Sequence, residues 1–215
     1  MTGAVAIFVK TPELSPVKTR LANAVGSAAA REFYEISCRA VREVVREVTE
    51  VAYWAVAEAP AKEHMSWHGF PLVYQGEGDL GTRLASVYET LRARHGAVVL
   101  IGADAPQITA EILRAALSAS ARSIVVGPAR DGGFYLFGAS QVIPSGIWES
   151  VPYSHRNTLN ELKSALVERG PIEDLGMLTD VDEGDDLRLL SIELDALRRL
   201  TPAQAVMKRW LKERE

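Results

Sequence analysis

Short, unbroken apolar runs alternate along this chain with longer stretches in which apolar residues recur every three or four positions. That alternation of strand-like and helix-like patterns is the main architectural signal. Ala4 to Val9 reads as a buried strand, and Lys10 to Ala22 follows as a basic loop. Residues 28–49 carry Phe33, Ile36, Cys38, Val41, Val44, Val45 and Val48 at helical spacing with Arg and Glu between them, which describes an amphipathic helix. Further strands are predicted at 51–56, 71–75, 97–101, 123–127 and 134–138. Helices are predicted at 80–94, 109–120, 157–169 and 185–200, and from Pro202 onward, with a looser segment rich in Ala, Pro and His before Pro71. The run Ala97 to Ile101 has no polar alternation, the mark of a central strand covered on both faces. Thr109 is the expected cap of the helix that follows, with Glu111 in its first turn.

No repeat, low-complexity tract or flexible linker divides the sequence, so residues 1–215 read as a single α/β domain. Its expected sheet is mostly parallel, with helices on both faces. In such sheets ligands bind beyond the carboxyl ends of the strands, so the loops that follow strands are the place to look for chemistry.

Charge narrows the partners. A formal net charge of -4 and a pI near 5.7 argue against coating nucleic acid or an anionic membrane, and leave small molecules as the expected ligands. The single Cys38 cannot form an intramolecular disulfide. No apolar stretch reaches the length of a membrane span, and the N-terminal run lacks the basic flank of a signal peptide, so a cytoplasmic location is expected.

Five loops after strands carry the candidate chemistry. Lys10, Lys18 and Arg20 in the first can fold over an anion, although the residues alone suit a solvated surface loop equally well, and no Walker pattern is present. In the second, Gln75-Gly76 and Leu80-Gly81-Thr82-Arg83 place glycines and an arginine at a helix start, where backbone amides favour an anion. The third, Gly102-Ala103-Asp104-Ala105-Pro106, offers Asp104 to a divalent cation, or alternatively to its own turn. In the fourth, Asp131-Gly132-Gly133 suits a hairpin turn, and also a site where Asp131 accepts hydrogen bonds from hydroxyls beside the close-approach glycines. The fifth holds four aspartates and a glutamate within residues 179–186. Asp185 and Asp186 suit a helix start, whereas Asp180 and Asp182 come too early, at the end of an expected short strand, and can share one side to hold a cation.

Together, Lys10 with Val17-Lys18-Thr19-Arg20-Leu21, Gln75-Gly76 with Leu80-Gly81-Thr82-Arg83, Gly102-Ala103-Asp104-Ala105-Pro106, Gly127-Pro128 with Asp131-Gly132-Gly133-Phe134-Tyr135, and Asp182 with Asp186-Leu187 resemble a bacterial family provisionally assigned as glycosyltransferases. Some of its members are assigned to arsenosugar biosynthesis. The family is part of the nucleotide-diphospho-sugar transferase superfamily with the GT-A fold, which also includes 2-phospholactate and molybdenum cofactor guanylyltransferases. The resemblance implies phosphate contacts from Lys10, Lys18 and Arg20, and Mg²⁺ or Mn²⁺ held by Asp104 and Asp182. The family usually has a glycine about where Ser15-Pro16 stands here; Pro16 has no N–H to offer a phosphate, so the side chains of this loop are expected to carry its binding.

The expected activity is metal-dependent transfer of a sugar from a nucleotide diphosphate to a small acceptor. Gln75, Gly76 and Arg83 would also contact the nucleotide, Gly132 and Gly133 the substrate, and Asp131 would act as base, with His155 as a second candidate. Nucleotidyl transfer from a nucleoside triphosphate to a phosphorylated acceptor is the first alternative, with Arg83 and Arg130 available for the extra phosphate. A non-catalytic nucleotide-binding module is the second, in which Trp67-His68-Gly69-Phe70 and Trp210 would be partner surfaces, although packed aromatics are the expected reading of both.

Overall fold

The strands are β1 (Ala4–Val9), β2 (Ala52–Val56), β3 (Leu72–Tyr74), β4 (Val98–Gly102), β5 (Ile124–Pro128), β6 (Phe134–Ala139) and β7 (Ile172–Asp174), in a computed structural model that describes residues 3–63 and 67–214. They form one sheet in the order β3-β2-β1-β4-β6-β5-β7. β4 takes the middle position and is buried along Val98–Ile101, as its unbroken apolar run predicts. β6 runs antiparallel to both neighbours, while the other pairings among the described residues are parallel. The reversal follows from the tight turn at Asp131-Gly132-Gly133, which leaves no room for a crossover between β5 and β6. As a result, β6 starts at the same end of the sheet where the parallel strands finish, and the five loops gather there.

The helices are α1 (Thr19–Val25), α2 (Ser27–Val48), α3 (Leu80–His95), α4 (Ala110–Ser120), α5 (Ser145–Glu149), α6 (Thr158–Leu166), α7 (Asp186–Asp195) and α8 (Pro202–Lys212). On one face of the sheet Val5, Ile7, Trp54, Val99 and Ile101 pack with Val41, Val44 and Val45 of α2 and Leu113 of α4. On the other, Ala6, Ala55, Leu100 and Phe137 meet Leu91 of α3, Trp148 of α5 and Leu162 of α6. The strict alternation along β1 is the period-2 signature of a strand serving two layers. A third cluster lies off the sheet, where Leu21 of α1, Phe33 of α2, Leu190 of α7 and Trp210 of α8 pack in one group with Val181.

Several elements differ from the sequence expectation. The basic loop ends at Lys18, and α1 occupies what was expected to remain loop. α5 and β7 were not expected, the helix predicted at 157–169 changes to a 3-10 turn over Val167–Arg169, and the one predicted at 185–200 ends at Asp195. The strand expected before Asp180 is absent among the described residues; a single parallel bridge between Ala129 and Leu178 stands in its place, with β7 earlier. Of the looser segment before Pro71, residues 64–66 lie outside the described residues. Trp67, Phe70 and Trp210 are buried, which makes them packed aromatics.

Candidate functional site

Lys18 lies beyond the strand ends, between the loop after β4 and the acidic loop. Its ammonium lies 2.9 Å from Asp104 Oδ2 and 3.1 Å from Asp182 Oδ1, and donates to the Val181 carbonyl at 2.5 Å. The three donors of the ammonium thus each have an oxygen. The Lys18 side chain is 4% exposed, against 32% for Asp104 and 45% for Asp182. Burial alone would lower the Lys18 pKa; the facing carboxylates of Asp104, Asp180 and Asp182 outweigh it and hold the ammonium above the ordinary lysine value. Lys18 also has a left-handed backbone (φ 47°, ψ 43°) immediately before α1, with no side-chain cap on that helix.

The surrounding loops are fastened by the backbone as well as by charge. The Val181 N–H donates to the Asp104 carbonyl at 3.1 Å, which docks the acidic loop directly onto the loop after β4. Ser37 of α2 donates to the Ala103 carbonyl, and buried Gln204 of α8 donates to the carbonyls of Pro106 and Ile108. Asp186 accepts from the N–H groups of Asp182 and Glu183, so this carboxylate shapes the loop at a helix start as its position predicts. Asp185 precedes that helix without a side-chain cap bond.

Asp180 is the third carboxylate of the cluster. Burial first, and then repulsion from Asp104, push its pKa well above the ordinary aspartate value, with Lys18 opposing and Asp182 and Asp131 adding to the rise. Asp104 Oδ1 is buried and has no hydrogen-bond partner. An orphaned carboxylate oxygen of this kind suits a cation ligand. No set of three or more His, Cys, Asp or Glu side chains among the described residues is arranged to hold a metal by protein ligands alone. Mg²⁺, which commonly takes one or two carboxylates and completes its shell with phosphates and water, still fits Asp104 with Asp182.

The remaining expected site residues divide by what already engages them. Arg20 Nη1 lies 3.6 Å from Asp182 and its side chain is 63% exposed, so the guanidinium remains free to meet an anion. Lys10 is exposed, and its backbone N–H and carbonyl are both bonded by the Tyr34 hydroxyl. Gln75 is buried, and its amide nitrogen donates to the carbonyls of Val9 and Ala55, tying the ends of β1 and β2 together. Arg83 Nε donates to the Gly78 carbonyl, and Gly76 has a positive φ of 86°. Arg130, the other cation considered for an acceptor phosphate, is bonded to Glu193 at 3.0 Å and to the Thr179 hydroxyl.

The fourth loop has a structural job. Asp131 Oδ1 accepts from the Gly133 N–H at 2.9 Å, closing the turn of the hairpin. A Cβ at Gly132 would stand 1.9 Å from the Arg156 carbonyl oxygen, so the close approach this glycine permits is to the chain's own backbone. At Gly133 a Cβ would meet Asp131 Oδ1 at 3.2 Å. His155 is exposed and its Nδ1 accepts from the Asn157 N–H. Sequence reasoning missed Val181 and Gln204, which position the two acidic loops; a lone valine amid aspartates was the one local sign of an anchor.

Residues 38–155 match the family described as "Uncharacterized protein conserved in bacteria (DUF2064)". The chain belongs to this family. No curated protein matches it. Among solved structures, a protein of Desulfovibrio desulfuricans G20, provisionally named a nucleotide-diphospho-sugar transferase, superposes with a TM-score of 0.82 at 22% identity, covering 99% of this chain and 97% of that one. Rv0371c of Mycobacterium tuberculosis H37Rv in complex with manganese gives 0.54 at 20% identity over 91% and 100% of the two chains. A cytidylyltransferase of Leptospira borgpetersenii gives 0.56 at 12% over 100% and 95%. The chain shares its fold with the Desulfovibrio protein, and no helix among the described residues is long and apolar enough to cross a membrane.

Proposed function

We propose that this protein is a divalent-metal-dependent glycosyltransferase that binds a nucleotide-diphosphate sugar in the crevice beyond β1 and β4. The observation that carries the reading is the convergence of Asp104, Asp180 and Asp182 with Lys18 and Arg20 at that end of the sheet. Asp104 and Asp182 would hold the metal, with the orphaned Asp104 Oδ1 as its first ligand atom. The ion would supply Lewis-acid neutralisation of the charge that grows on the diphosphate as the glycosidic bond breaks. Arg20 and Lys10, both exposed, would offer positive charge to the same anion, which favours the state in which its charge is greatest. Gln75 acts on the nucleotide through the strand ends it ties together, and Gly76 and Arg83 line the approach to the start of α3. Asp131 is the proposed base, carried on a turn that its own Oδ1 closes, and Gly132 and Gly133 set the position of that turn.

Nucleotidyl transfer is the second reading, favoured by the fold shared with a cytidylyltransferase. It needs added cations for a phosphorylated acceptor, and with Arg130 already bound to Glu193 that role would fall to Arg83. The test is to supply Mg²⁺ or Mn²⁺ with a panel of nucleotide sugars, or of nucleoside triphosphates with phosphorylated sugars, and to identify the phosphate product. Nucleoside diphosphate release supports glycosyl transfer, and pyrophosphate release supports the second reading. Nucleotide binding without either product would overturn both in favour of a non-catalytic module.

A further inference from the structure

Asp104 and Asp182, the carboxylates proposed for the metal, already share a cation. The Lys18 ammonium stands 2.9 Å from one and 3.1 Å from the other, and the Val181 carbonyl completes its bonding. A divalent ion held by these two carboxylates through the unpartnered Asp104 Oδ1 would stand beside this ammonium, and the repulsion between the two cations would favour one of them at a time. Lys18 therefore cannot grip a phosphate and neutralise the acidic pair at once.

We propose that Lys18 is a built-in counter-cation, which neutralises Asp104 and Asp182 in the ligand-free protein and gives way to the ion when a nucleotide diphosphate arrives. The proposal rests on the metal-dependent reading above. In the exchange Asp104 and Asp182 would be left to hold the metal and the Lys18 ammonium would pair with the phosphates, so each charge would find a new partner. Lys18 has a left-handed backbone at the junction of loop and α1, and its side chain reaches Val181 and Asp182 of the acidic loop. Metal alone must evict a fully bonded ammonium with nothing to receive it, so it binds weakly. Nucleotide receives the ammonium, so metal and nucleotide each tighten the other by the same factor. Lys18 is thus a positioning residue that sets the order of binding.

The prediction differs in sign from that for a simple phosphate contact. Lys18→Met should weaken nucleotide binding and yet tighten Mn²⁺ binding in the absence of nucleotide, by about fivefold or more, the lower end of common couplings. Calorimetry with Mn²⁺ alone, and with Mn²⁺ in the presence of each of ADP, CDP, GDP and UDP, reads both effects, with Asp104→Asn as the control that removes the site. Unchanged or weaker Mn²⁺ binding by Lys18→Met, with Asp104→Asn still abolishing binding to the wild type, overturns the counter-cation while leaving the metal reading intact. No Mn²⁺ binding by either protein under any condition overturns the metal reading itself. If Lys18→Met does not fold, the wild type gives the answer through the ¹⁵N resonance of the Lys18 ammonium. That resonance should shift when Mg²⁺ and the diphosphates are added together, and its constancy while Mg²⁺ binds overturns the exchange.

Discussion

Asp180 is a carboxylate in a place that disfavours its charge. Burial, then Asp104, raise its pKa, so between the ordinary aspartate range and the raised value the folded chain holds a proton that the unfolded chain has released. Stability from this group is therefore lost as pH rises through that window. Asp180→Asn, melted in chelator-containing buffer, should raise Tm near about pH 7, and the gain should shrink toward about pH 4 where both states bind the proton. A Tm gain independent of pH would contradict this origin. Asp104→Asn should abolish the Mn²⁺-dependent rise in Tm that linkage predicts for the wild type, a rise worth about 2.7 kcal/mol at one hundred times Kd. Asp104 and Asp182 were legible as candidates because each stands in a loop beyond the sheet, although a turn explained Asp104 as well. Asp131 was legible only as an ambiguity: an aspartate before two glycines serves a turn and a site equally well, and only the bond to the Gly133 N–H identifies its turn.

At the scale of elements, pattern reading found the strands of the sheet core and the long helices because their apolar residues keep one period over enough residues. α1 escaped it because it is 7 residues long, begins without a capping side chain and follows a left-handed residue. Its hold is Leu21 in the third cluster, a contact with residues far along the chain. The hairpin between β5 and β6 depends on Gly132 both for its φ of 91° and for its contact with the backbone at Arg156. Gly132→Ala should cost about 2–3 kcal/mol or more in urea unfolding. Gly146→Ala in α5, where a Cβ meets nothing within 4 Å, should be neutral or stabilise by about 0.4–1 kcal/mol. Equal effects at the two positions would refute the packing account. Thr109, expected and found as the cap of α4, should lose about 1 kcal/mol on change to Ala.

Across the whole molecule, the third cluster joins the two halves of the site. Leu21, three residues after Lys18, and Val181, between Asp180 and Asp182, are buried in the same packing, closed by Trp210 of α8. Trp210→Ala should cost about 3–5 kcal/mol and, where folded protein remains, loosen Mn²⁺ binding although Trp210 belongs to no predicted ligand set. Full stability with unchanged metal affinity would exclude this coupling. Gln204 gives α8 a second hold, on the carbonyls of Pro106 and Ile108 just beyond Asp104.

The period of apolar residues, the cap at Thr109 and the sequence Asp-Gly-Gly act over a few bonds, so the layered α/β architecture and the loops that carry charge could be read from the chain alone. The partner of each charge could not. Lys18 and Asp182 are 164 positions apart, and nothing within a short window specifies that an ammonium will be buried between carboxylates from two other loops. Their meeting depends on β1, β4, β5 and β7 running in one direction, so that their loops share one end of the sheet, and on the third cluster, which holds both Leu21 and Val181. Long-range packing thus turned a basic loop of open purpose into one whose central lysine already holds the acidic pair.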